Sequence, residues 1–267
     1  MDRAQLGLAT FHWPGMDLWS WIRLAEELEL GGVEIRADPG IAHPDELSPE
    51  ERARLRALAR NGLRVSVHMP IHGVNLTCPS PRISAASLGE VLRSVEFAGE
   101  VGADVVVIHP GTLPEEYVPF PKWRERAWEL LRFSLSLLLS RAKGENLRLA
   151  LENKHRARDL GLVGSLEEHL RVLSEFPNLW ACLDVGHLHT FSRSPREYIY
   201  GLGKRLIHVH LHDNLGDHDA HLPLGEGNVP WEEALRALGE NGFSGRIILE
   251  IPDPDGLRQS VRKVLGL

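Results

Sequence analysis

Eight short runs rich in Val, Ile and Leu recur along the chain, and a longer segment with helical periodicity follows each one. The runs are Gln5–Thr10, Gly32–Arg36, Leu63–His68, Asp104–His109, Leu147–Glu152, Trp180–Asp184, Leu206–Leu211 and Arg246–Ile251. Spread over 267 residues, they give a unit of about 33 residues, close to the roughly 30 of a strand-plus-helix repeat. Runs this continuously apolar suit parallel strands covered on both faces. The intervening segments read as helices over Asp17–Leu28, Ser48–Arg60, Ser84–Val101, Pro121–Lys143, Ser165–Phe176, Ser194–Tyr200, Trp231–Asn241 and Asp255–Leu265. Ser48-Pro49-Glu50-Glu51 combines a cap, a first-turn proline and early negative charge, and Asn61-Gly62 stops that helix. Eight such alternations predict an α/β fold, a single closed (β/α)8 barrel. An open doubly wound sheet is the alternative, but the regularity of the units and the lack of a Gly-rich loop after the first run count against it. No linker, low-complexity tract or charge block divides the chain, so residues 1–267 are expected to form a single domain.

In such a barrel the C-terminal ends of all strands meet at one mouth, where active sites lie. The third run ends at His68, the fourth at His109, the fifth at Glu152 and the sixth at Asp184. The seventh carries His208, His210 and His212 in alternation, and the eighth leads into Glu250. Six consecutive strands thus deliver imidazole or carboxylate to one place. Asp184-Val185-Gly186-His187 adds a second donor, and Asp219-Ala220-His221 adds two from the loop after the seventh run. Carboxylates crowded this closely resist ionisation unless a cation offsets them. The candidate metal ligands are therefore His68, His109, Glu152, Asp184, His187, His210, Asp219, His221 and Glu250. One zinc takes about four ligands and one magnesium about six. Nine exceed the needs of one ion, so either several ions bind or some of these groups hold substrate.

Composition fixes the kind of ligand. The chain has 14 His against only 2 Cys, so a metal site here is built from imidazole and carboxylate, which favours zinc, manganese or iron over calcium. Cys78 and Cys182 cannot form a disulfide framework, and a reducing cytoplasm is the expected compartment. The opening Met-Asp-Arg-Ala-Gln has no apolar stretch behind it that would read as a secretion signal. Leu130–Leu139 is interrupted by Arg132, Ser134 and Ser136 and is too short to span a bilayer. A formal charge of −7 argues against a generally basic nucleic-acid surface.

Other positions carry two readings. His208 and His212 share the strand face of His210, so one can line the pocket while the other begins the loop. Asp213 either orients an imidazole or caps the turn. Lys154, Arg156 and Arg158 either meet an anionic group such as a phosphate or form a solvated basic loop. His12 and Trp13 follow the first run, at the correct mouth for stacking on a sugar or base. Arg246 begins the eighth strand at the opposite end, Trp231 starts a helix, and Cys182 reads as core. His43, His155, His169, His189 and His218 have no such placement and read as surface.

Several pieces together resemble the xylose-isomerase-like TIM barrel superfamily, which includes sugar isomerases and epimerases and the family-2 AP endonucleases of the endonuclease IV type. They are Val67-His68-Met69-Pro70 with Asn75-Leu76, Ile108-His109-Pro110-Gly111, Leu151-Glu152-Asn153, Leu183-Asp184-Val185-Gly186-His187, His208-Val209-His210-Leu211-His212-Asp213, Leu224-Gly225-Glu226-Gly227 and Leu249-Glu250. Resemblance to the sugar enzymes implies one divalent ion on Glu152, Asp184, His210 and Glu250. The two glutamates would then move a proton on and off carbon, and His187 would contact substrate. Resemblance to endonuclease IV implies all nine positions around three zinc ions that hydrolyse a phosphodiester, with nucleic acid as the partner. The loops after the second and third runs, Arg36-Ala37-Asp38-Pro39-Gly40 and Met69-Pro70-Ile71-His72-Gly73, lack the DNA-inserting residues of those nucleases. The expected function is therefore a divalent-metal-dependent isomerase or epimerase of a sugar or sugar phosphate. Glu152 and Glu250 are its catalytic pair, and His187, His12, Trp13, Lys154 and Arg158 are its substrate contacts. A zinc-dependent AP endonuclease is the alternative. Barrels of this type often pair, which allows a homo-oligomer, and no membrane partner is expected.

Overall fold

A computed structural model describes residues 2–267. Met1, the first residue of the opening segment considered above, lies outside them. Eight strands close into an all-parallel barrel: β1 (Leu6–Ala9), β2 (Gly32–Arg36), β3 (Arg64–His68), β4 (Val105–Ile108), β5 (Arg148–Glu152), β6 (Trp180–Asp184), β7 (Leu206–Leu211) and β8 (Arg246–Leu249). Each pairs with its sequence neighbours, and β8 closes the ring on β1 through Leu6 opposite Ile247. All eight predicted runs are strands, shortened by at most two residues at either end.

The helices between them are α1 (Leu18–Glu27), α2 (Pro49–Arg60), α3 (Pro81–Val101), α4 (Pro121–Gly144), α5 (Leu166–Glu175), α6 (Val185–His189), α7 (Pro195–Leu202), α8 (Trp231–Glu240) and α9 (Pro254–Leu265). Their starts follow local chemistry. Asp17 caps α1 through the Ser20 N–H, and Ser48 and Glu51 form a reciprocal capping box on α2. Proline occupies the first turn of α2, α3, α4, α7 and α9, where a missing N–H costs nothing. Two features escape sequence periodicity. One is the five-residue α6. The other is a two-residue antiparallel ladder pairing Thr112–Leu113 with Leu160–Gly161 above the barrel mouth.

The main apolar core lies between the barrel and the helices, with Leu8, Ile35, Val67, Val106, Leu149, Leu183, Val209 and Leu249 facing outward into it. Inside the barrel, Val105, Val107, Ala150 and Cys182 form a separate small apolar cluster. Strand alternation puts Glu34, Ser66 and His208 on the same inward face. All three are fully buried. The interior is thus part apolar plug and part polar column beneath the mouth. At the opposite end, buried Arg246 pairs with Asp104, which also accepts from Arg148 at 2.8 Å. Among the described residues, no helix is long and apolar enough to cross a membrane.

Candidate metal centre at the barrel mouth

The ends of β3 to β8 and the loops beyond them enclose a cavity of about 230 Å³. Its wall includes His68, His109, Glu152, Lys154, His187, Asp219, His221 and Glu250, together with Phe11, Arg36, Ile71 and His155. Asp184 and His210 lie at its floor, both fully buried. All nine candidate ligands therefore gather in one place, with His187 among them also an expected substrate contact, and Lys154 joins them. The structure does not bring the other three expected contacts to this wall. His12 is tied to the Pro39 carbonyl at 2.8 Å, Trp13 is exposed, and Arg158 lines a neighbouring cleft of about 300 Å³ with Arg156.

Three groupings of donor atoms stand out. His210 Nδ1 lies 3.3 Å from Glu152 Oε1, 3.4 Å from Glu250 Oε1 and 3.9 Å from Asp184 Oδ2. Four ligands held tetrahedrally at roughly 2.1 Å from an ion stand about 3.4 Å from one another, so this set has the spacing of a coordination shell. In the second grouping, the other oxygen of Glu152 lies 3.3 Å from His68 Nε2 and 2.9 Å from His109 Nε2. The third centres on Asp219. Its Oδ2 is 3.1 Å from His187 Nε2 and 3.3 Å from His221 Nε2, and its Oδ1 is 3.2 Å from His212 Nε2. His212 also reaches Asp184 Oδ1 at 3.3 Å.

The outer nitrogens of these rings test whether the residues fit a metal. A ligating imidazole donates its second N–H to a carbonyl or carboxylate and turns a bare nitrogen inward. His68 donates from Nδ1 to the Met69 carbonyl at 2.7 Å, His187 to Asn153 at 2.7 Å, His221 to Glu250 at 2.9 Å and His212 to Asp213 at 3.3 Å. His210 sets Nε2 2.8 Å from Glu34 Oε1. In the neutral form that can ligate an ion, five of these rings would turn a bare nitrogen to carboxylate oxygens, acceptor against acceptor. Asp184 Oδ2, Asp219 Oδ1 and His212 Nε2 are buried without a hydrogen-bond partner. Such an arrangement fits a divalent cation.

Electrostatics show how the site holds its charge as it stands. Burial alone would raise the Asp184 carboxyl, but the His187 and His212 rings hold it at about 2. Burial would lower both of those rings, yet Asp184 and Asp219 raise His187 to about 9, and the same carboxylates raise His212 to about 9. Burial also opposes ionisation of Glu152, and the surrounding His109 and His210 hold it well below the carboxylate range. His109 goes the other way, to about 3, through burial and the Lys154 ammonium.

Local structure fixes these side chains. Asp184 is the N-cap of α6 and accepts from the His187 N–H at 2.7 Å, while Asn153 clamps the Asp184 backbone through two bonds. Gly186 is required because a Cβ there would stand 2.1 Å from the His212 ring. Asp213 proves to be the cap of its turn, accepting from Asn214, Gly225 and Val229 N–H groups. Arg246 and Trp231 sit as expected, at the far end and at a helix start. Sequence reasoning missed Glu34, whose signal was a carboxylate in the middle of an apolar run. It also missed the role of His212 among the donors. Two histidines read as surface are corrected: His155 lines the cavity, and His169 is fully buried. Neither a loop nor a helix position reveals, by spacing alone, which way its ring turns.

Comparison with known proteins agrees with this architecture. Residues 22–265 match the xylose isomerase-like TIM barrel family. An uncharacterised protein of Methanocaldococcus jannaschii is 33% identical over 214 residues, which cover 76% of this chain and 70% of that protein. The fructoselysine 3-epimerase of Escherichia coli O157:H7 is 25% identical over 243 residues, 86% of this chain and 83% of the enzyme. A crystal structure of a D-tagatose 3-epimerase-like protein superposes with a TM-score of 0.83 at 27% identity, covering 98% of this chain and 96% of that one. This chain belongs to the xylose isomerase-like TIM barrel family.

Proposed function

We propose that this protein is a divalent-metal-dependent isomerase or epimerase of a sugar or sugar phosphate, working as one domain of residues 1–267 in the cytoplasm. The observation that carries the reading is the placement of three carboxylates around His210 Nδ1, two of them glutamates from well-separated strands. Fructoselysine 3-epimerase and the D-tagatose 3-epimerase-like protein support the substrate class. Glu152, Asp184, His210 and Glu250 would hold zinc, manganese or iron. When bound, the ion supplies polarisation of the substrate carbonyl and its neighbouring hydroxyl, which acidifies the intervening C–H. Glu152 and Glu250 are the proton carriers. One glutamate, as the carboxylate, takes the proton as the C–H bond breaks, and the other, in its acid form, gives a proton to the opposite face of the same carbon and is left as the carboxylate. His187, anchored on the Asn153 carbonyl, is placed to orient a substrate oxygen.

The test is incorporation of deuterium from solvent into candidate ketoses and their phosphates. The expected result is exchange that falls at least about 100-fold in Glu250→Gln. Exchange unchanged in that variant would overturn the two-glutamate assignment. A second reading, a three-ion phosphodiesterase, is favoured by the presence of all three donor groupings. Incision of duplex DNA containing an abasic site would support it over the epimerase.

A further inference from the structure

We infer that Lys154 keeps a metal ion out of the His68–His109–Glu152 corner of the cavity and so sets how many ions the protein holds. The inference rests on the metal-centre reading above and concerns one of its three donor groupings.

His109 is the exception among the clustered imidazoles. The outer nitrogens of His68, His187, His212 and His221 all donate to backbone carbonyls. The outer nitrogen of His109 instead faces Lys154 Nζ at 3.2 Å. An ammonium has three donors and no acceptor, so His109 Nδ1 must accept. A neutral imidazole carries one N–H, which is then on Nε2, 2.9 Å from Glu152 Oε2. A protonated ring nitrogen has no lone pair to offer an ion. His109 therefore presents an N–H rather than a lone pair on Nε2, and the ammonium behind it supplies the positive charge that an ion would otherwise bring to this corner.

Lys154 is held in place. Only 8% of it is exposed, and its backbone N–H donates to the Val163 carbonyl at 3.3 Å. Its stem packs under Gly161 of the two-residue ladder, where even a Cβ would lie 2.7 Å from the Lys154 Cβ. The start of the stem is thus fixed against that ladder, which directs the ammonium towards His109 in this corner. The corner needed for three-ion phosphodiester chemistry is thereby closed, while the His210 and Asp219 groupings remain free to bind.

The experiment is metal analysis of the full chain after zinc saturation and desalting, alongside the nitrogen NMR signature of the His109 ring in the wild type. Wild type is expected to hold no more than two ions per chain. Lys154→Met is expected to gain about one further equivalent, lost again when His109→Ala is added, whereas Lys154→Arg retains the cation and gains none. The His109 ring should show its proton on Nε2. Three ions in wild type, an unchanged count in Lys154→Met, or a proton on Nδ1 would overturn the inference and leave the metal centre standing. No ion in any of these proteins would overturn the metal-centre reading itself. The NMR result decides the matter if Lys154→Met fails to fold.

Discussion

Glu34 offers a sharp test of how the interior of the barrel supports the mouth. Its carboxylate is fully buried on β2, with Oε2 2.7 Å from His208 Nε2 and Oε1 2.8 Å from His210 Nε2. One carboxylate thus serves two imidazoles, and one of those presents Nδ1 to Glu152, Asp184 and Glu250. Glu34→Gln keeps the shape but removes the charge and replaces one acceptor with an amine. Both rings bring Nε2 into contact with residue 34, so one of the two must then face the amide NH₂ in place of a carboxylate oxygen. Removing the outer partner of a metal-ligating histidine typically weakens metal binding 10–100-fold, which is about 1.4–2.7 kcal/mol. Competition with a chelator of known affinity reads that loss directly, with Glu232→Gln on the exposed face of α8 as the control. A metal affinity within about twofold of wild type in Glu34→Gln would refute the idea that Glu34 orients His210.

Four further outcomes follow from the structure. Burial lowers His169 to about 4, so the unfolded chain takes up this proton first. His169 should therefore withdraw stability as pH falls below about 6.5, by about 2 kcal/mol at pH 5, and denaturant titrations at pH 7 and 5 should lose that component in His169→Leu. Gly186→Ala should push the His212 ring aside and lower zinc occupancy at the Asp219 grouping, measured by metal analysis, while the His210 grouping still binds. Asp213→Ala leaves three backbone N–H groups without their acceptor and should cost about 3 kcal/mol in urea unfolding. Ser48→Ala removes half of a capping box and should cost about 1 kcal/mol by the same measurement.

What the sequence made legible, and what it did not, divides along physical lines. Strands covered on both faces are unbroken apolar runs, so β1 to β8 stand out, and each run's polar terminus falls at the barrel mouth by topology alone. His68, His109, Glu152, Asp184, His210 and Glu250 could therefore be gathered without coordinates. Glu34 could not, because a polar residue in mid-strand breaks the pattern without saying which interior neighbour it meets. That neighbour, His208, sits across the barrel on β7 and is set by closure. Loop residues were harder still. Lys154 read equally well as a phosphate contact or a solvated charge until the Thr112–Leu113 and Leu160–Gly161 ladder turned it inward. A ladder of two residues per strand carries no periodicity to detect.

Charge placement at the cavity favours a small substrate over a nucleic-acid backbone. Among the described residues, Arg36 and Lys154 are the two Lys or Arg side chains on its wall, and both are committed. Arg36 is bonded through Nε and Nη2 to Asp38 Oδ2 at 3.1 and 3.0 Å, and Lys154 is bonded to His109. A phosphodiester backbone is gripped by several cations free to shed counterions, and this wall offers it none. A polyhydroxylated sugar needs donors and acceptors at fixed positions, which anchored imidazoles and carboxylates supply. The Arg156 and Arg158 side chains lie in the adjoining cleft, and His155 lines both cavities. If the substrate carries a phosphate that reaches the adjoining cleft, those two arginines are the cations there to receive it. Arg158→Ala should then raise KM for a phosphorylated sugar about 10- to 100-fold while leaving KM for its neutral counterpart unchanged, since a charge-assisted contact contributes about 1.5–3 kcal/mol. An equal effect on both sugars would separate the second cleft from substrate binding.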